Sequence, residues 1–116
     1  MISAQIKRIC TQQMDDLEDC QLADPEAFCV VVRVMAGPRG EPGEESFDVK
    51  VCSPRWLEQQ IKIDGFVIGR HYLVVDFFDP SKIKKILTKF FERHTGDSWT
   101  EIAEKLGRNG LWEFES

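Results

Sequence analysis

Three helix starts are written into the second half of the chain, and they restrict its fold more than any other feature. Ser53-Pro54 and Asp79-Pro80 each set a side-chain oxygen before a proline. The oxygen can accept an orphan amide of the first turn, and proline has no amide to lose there. Ser98, with Glu101 three residues on, makes a capping box. The first start predicts a helix through Trp56, Leu57, Gln60 and Ile61 that stops at Asp64-Gly65. After the second, Ile83, Ile86, Leu87, Phe90 and Phe91 recur at helical spacing as a continuous core stripe, and Gly96 ends the element. After the third, Trp99, Ile102, Ala103 and Leu106 share one face, and Gly107 offers a left-handed stop.

The remaining segments read as strands and loops. Ser3 to Cys10 alternates weakly and suits an edge strand, whereas Asp15 to Glu26 is acidic, broken by Pro25, and reads as a loop or short helical turn. Phe28 to Met35 is rich in valine, as strands are. Ala36 to Ser46 carries three glycines and two prolines and is expected to be a loop. Phe47, Val49 and Val51 alternate with Asp48, Lys50 and Cys52, so an antiparallel hairpin follows. His71 to Phe78 is almost wholly apolar and reads as a central strand. Trp112 and Phe114 alternate with Glu113 and Glu115 in a short terminal strand. The expected class is α+β: a mostly antiparallel sheet of four to five strands and about three helices, in two layers, as one domain over residues 1–116. All three helices, with Trp56 and Trp99, are expected to serve one core.

Composition narrows the function. Twenty acidic against fifteen basic residues give a net charge of −5, which disfavours nucleic acid as a partner and suits a basic protein surface. No apolar run approaches the roughly 20 residues of a membrane helix, and no signal-peptide pattern opens the chain, so a cytoplasmic protein is expected. Cys10, Cys20, Cys29 and Cys52 form no Cys-x-x-Cys, and neither His71 nor His94 lies at zinc-finger separation from one. Free thiols and no metal are expected. Cys52, His71 and Asp76 are the residue types of a nucleophile, base and orienting acid, but nothing local brings them together.

Ser98-Trp99-x-Glu101-Ile102-Ala103-x-Lys105-Leu106, followed by Trp112-Glu113-Phe114-Glu115, resembles the immunity protein 8 family, as does Val51-Cys52-Ser53-Pro54-Arg55-Trp56-Leu57. The likeness runs from about Phe28 to Glu115, and Phe47 to Leu57 is its most specific piece. These are small bacterial proteins encoded beside polymorphic toxins, including effectors of contact-dependent growth inhibition. The resemblance implies a non-enzymatic inhibitor that binds a cognate toxin encoded nearby, without a cofactor. The family brings no catalytic motif and leaves the binding residues open. A generic interaction module without a toxin is the alternative.

Binding candidates therefore come from the residues themselves. Arg39, Glu41, Glu44 and Glu45 lie on the Gly/Pro-rich stretch, and long charged loops suit selective recognition. Asp15, Asp16, Glu18 and Asp19 form a second acidic group. The alternative contact is the lysine side of the second helix, with Lys82, Lys85 and Lys89, together with Trp112 near the end of the chain.

Overall fold

A computed structural model describes residues 1–115 of the chain. Its centre is the antiparallel hairpin of β2 (Cys29–Pro38) and β3 (Glu45–Cys52), flanked on the β2 side by β1 (Ile2–Cys10). Strand β2 runs further than its valines suggest. Ala36, Gly37 and Pro38 pair with Ile6, Gln5 and Ala4, so the loop expected over 36–46 shrinks to 39–44. Gly37 permits this, because a side chain there would meet the Gly43 carbonyl oxygen at 2.2 Å. In β1 the register shifts between Ile6 and Arg8, a bulge that changes the strand's phase and buries Ile9 alongside Ala4. The weak alternation of this segment is the sequence trace of that bulge.

One sheet face carries the core. Val32, Val34, Ala36, Phe47, Val49 and Val51 are buried beneath α2 (Pro80–Glu92) and α3 (Trp99–Leu106). Ile83, Leu87 and Phe91 of α2 and Ile102, Ala103 and Leu106 of α3 complete it. Ile86 and Phe90 flank the α2 stripe and are only partly buried. Both helices start as expected, with Asp79 accepting from the Lys82 amide and Ser98 from the Glu101 amide. Two ends differ from expectation. Helix α2 closes at Arg93, because Thr95–Gly96 pairs with Ser3 and Ile2 as β5. Gly107 is right-handed, with φ −61°.

The apolar run 71–78 is not a central strand. Only β4 (Tyr72–Val74) pairs, parallel to β3 and at the sheet edge. Beyond Val75 the chain leaves the sheet, because the Phe78 amide donates to the Pro25 carbonyl and its ring packs edge-on against Phe28, centroids 5.3 Å apart. A two-residue strand, β6 (Leu111–Trp112), pairs with the start of β3, giving a six-stranded mixed sheet.

The largest departure is α1 (Pro54–Asp64), which buries none of its residues. A parallel β3–α1–β4 crossover carries it to the side of the sheet that α2 and α3 leave open. There Trp56, Gln60 and Asp64 look across a depression at Lys50 and Tyr72. Trp56, Leu57 and Gln60 are the half-buried positions of α1. Gln60 and Asp64 put polar groups on the wall of the depression, so little apolar area is available to bind the helix down. Trp56 accordingly is half-buried rather than part of the core, and the core belongs to two helices.

Candidate protein-binding surface

The acidic loop is tied to the body of the protein. Arg39 donates from Nε to Ser3 Oγ at 3.2 Å and pairs with Glu92 at 3.4 Å. Glu92 in turn accepts the Ile6 amide at 2.9 Å. Glu44 pairs with Arg8 at 3.0 Å, and the Lys7 ammonium donates to the Glu41 carbonyl oxygen at 2.9 Å. The Glu41 carboxylate itself is exposed, with no cation within 4.0 Å among the described residues.

Glu45 belongs to β3 and is half-buried. Its Oε1 accepts the indole N–H of both Trp99 and Trp112, the latter at 3.1 Å. Trp112 also stacks on Phe47, ring planes 11° apart. One carboxylate thus joins α3 and β6 to the start of β3, and Trp112 is held on the protein's own core.

The second acidic group meets the lysine helix. Asp16 caps a short 3-10 helix, Leu17–Asp19, whose Leu17 is fully buried. Its carboxylate takes the Lys84 ammonium at 2.6 Å and the Glu18 amide at 2.9 Å, and these bonds lower its pKa below the ordinary value. Glu18 lies 3.9 Å from the same ammonium, whereas Asp15 and Asp19 face solvent. On α2, Lys82 pairs with Asp76 at 3.1 Å, while Lys85 and Lys89 are exposed.

The three residues of a conceivable catalytic set do not hydrogen-bond to one another. Cys52 is fully buried, and burial, with Cys29 opposite it in the hairpin, pushes its thiol up to about 11. His71 adopts a left-handed backbone, φ 60°, and its Nε2 lies 3.0 Å from the Gly107 carbonyl oxygen, an acceptor that requires the ring hydrogen on that nitrogen. Asp76 is held by Lys82 and the Phe77 amide, which lower its pKa. All four thiols are free, and no cluster of metal-binding side chains occurs among the described residues. None of the helices is long and apolar enough to cross a membrane.

The most exposed apolar surface lies elsewhere. Ile61 and Ile63 of α1 are 48% and 74% exposed, and Phe66 and Ile68 just after it are 63% and 76% exposed. Gly65 turns the chain between them with φ 86°. Behind this arm, a depression of about 450 Å³ is walled by Trp56, Phe66, Ile68 and Tyr72. It shares Lys50 with a second, of about 400 Å³, that reaches Val31, Arg70, His71 and Leu111 over the open sheet face. The Lys50 ammonium stands at the join, 5.3 Å from the centroid of the Tyr72 ring. Sequence patterning misses this surface because Ile61 reads as a core residue. Its trace is Phe66-Val67-Ile68, an apolar run that lies beyond the helix stop and before the next strand.

A protein-family model described as Immunity protein 8 matches residues 4–116. No curated protein and no solved structure matches significantly.

Proposed function

The chain belongs to the immunity protein 8 family, and on that premise we propose that it binds a cognate bacterial toxin and neutralises it by stoichiometric occlusion. The family match over nearly the whole chain carries this reading. The exposed apolar arm supports it, since large apolar side chains in a group on a protein surface mark partner sites. A toxin encoded nearby, as in contact-dependent inhibition and other polymorphic toxin systems, and action in the cytoplasm are parts of the same proposal.

Occlusion needs no chemistry from the inhibitor. It must cover the toxin's active site or substrate surface and stay bound. A nuclease is the toxin class best suited to a net charge of −5, because its basic substrate groove attracts an acidic protein and speeds encounter. Glu41, Asp15 and Asp19, exposed and outside any ion pair among the described residues, are the side chains of the two acidic groups with most freedom to contribute. Arg39, Glu44, Glu45, Asp16 and Glu18 would first have to release internal partners.

Titrating the activity of the toxin domain encoded by the adjacent gene tests the reading. Inhibition should saturate at about one chain per toxin, because binding energy alone does the work. Full protection at a small fraction of equivalence would instead indicate an enzyme that modifies the toxin.

A further inference from the structure

We propose that the toxin docks on the trough between α1 and the open sheet face, placing an apolar segment against Phe66 and Ile68 and a carboxylate on Lys50. The inference rests on the toxin-binding reading above and names the surface that reading leaves open. Its first support is exposure. Ile61, Ile63, Phe66 and Ile68 fall within eight residues of chain, and all are at least 48% exposed. No residue of α1 is fully buried, and Ile61, Ile63, Phe66 and Ile68 stand outside the core cluster.

Charge identifies the occupant. Arg33 is held by Asp48 at 2.9 Å, and Arg70 lies 3.4 Å from Glu115. Lys62 pairs with Glu58 along α1 at 3.4 Å. Lys50 alone among these has no carboxylate within 4.0 Å among the described residues, although it stands where the two depressions meet. The first depression sets Trp56, Phe66, Ile68 and Tyr72 around Lys50, with Gln60 and Asp64 on the α1 wall. Because Asp64 does not come within 4.0 Å of the ammonium, a carboxylate on an otherwise apolar segment complements it. A second copy fits less well. A two-fold contact presents the same patch from both sides and would bring Lys50 toward its own copy, in a chain already at −5.

This surface also divides the work of binding. Exposed acids elsewhere on the chain act at a distance and raise the rate of encounter, whereas the trough supplies the desolvated contact that sets the lifetime of the complex.

The test uses the full chain and the toxin domain encoded by the adjacent gene. Phe66→Asp with Ile68→Asp should weaken binding by roughly 30-fold or more, as loss of a central apolar anchor does. Lys50→Glu should weaken it by roughly tenfold, mainly through faster dissociation. Both variants change exposed side chains and should keep the parent's circular dichroism and denaturation midpoint. If the double variant misfolds, Lys50→Glu decides alone. Unchanged affinity in a folded variant would overturn the surface and leave the toxin-binding reading standing. No binding by the parent overturns both. A parent dimer that the double variant abolishes, with toxin affinity unchanged, would assign the trough to a second copy and overturn the proposal.

Discussion

Helices α1 and α2 begin with the same device and end with opposite fates. Each has an oxygen-bearing cap, Ser53 or Asp79, followed by proline at the first helical position. Helix α2 then turns Ile83, Leu87 and Phe91 inward and buries all three. Helix α1 turns Trp56, Gln60 and Asp64 toward the sheet and buries none. The local start is equally good in both, so capping decides where a helix begins and the inward stripe decides whether it joins the core. Apolar area that α2 buries in the fold is left exposed by α1 and the following Phe66–Ile68 segment.

The largest test of this contrast compares the helices directly. Phe91 is buried and meets Phe47 edge-on, centroids 5.7 Å apart, so Phe91→Ala should lower stability by about 3–5 kcal/mol. Ile61→Ala, at an exposed position of α1, should stay within about 0.5 kcal/mol. Chemical denaturation measures both, and comparable losses would mean that α1 is packed in solution. Phe90, only partly buried, should lose less than Phe91 does.

A middle-sized effect separates the caps. Ser53 is fully buried, and its hydroxyl accepts the Phe28 amide at 3.2 Å as well as the Trp56 amide at 3.3 Å. Ser53→Ala removes a cap and leaves the buried Phe28 amide unpartnered, so about 2–3 kcal/mol should be lost. Asp79→Ala, which removes a cap alone, should cost about 1 kcal/mol. Equal thermal shifts would show that the Ser53 link to Phe28 adds nothing and that α1 is attached by its cap only.

The smallest effect concerns the ion pair that joins the 3-10 helix to α2. Lys84 lowers the Asp16 pKa below its ordinary 3.8. A depressed carboxyl contributes its stabilisation above the ordinary value and loses it as pH falls through the lower, folded-state value. The denaturation midpoint of the parent should therefore drop more steeply below about pH 4 than that of Asp16→Asn. Parallel profiles would mean that the pair is solvent-screened and that the 3-10 helix is held by buried Leu17 alone.

The acidic candidates show how tertiary contacts redirect a sequence reading. Glu41, Glu44 and Glu45 look equivalent in the chain. Yet Glu41 is free in solvent, Glu44 is paired with Arg8, and Glu45 is half-buried between two indoles. Nothing local separates them, because their partners lie 36 residues away for Glu44 and 54 and 67 residues away for Glu45.

By itself the sequence determined the starts of the three α-helices, the central hairpin, the α+β class and the family likeness carried by Phe47 to Leu57 and Ser98 to Leu106. These rest on caps, prolines and periodicity, which act within a few residues and can be read in order. Tertiary structure decided the length of β2, the edge position of β4, the phase of β1 and the openness of α1. Each depends on a distant group: the Gly43 carbonyl beside Gly37, the Pro25 carbonyl that draws Phe78 off the sheet, the partner strand across from the Lys7 bulge, and the polar face that Gln60 and Asp64 turn toward Lys50. A side chain's type fixes what it can bury or bind. What stands opposite it in the folded chain fixes whether it does.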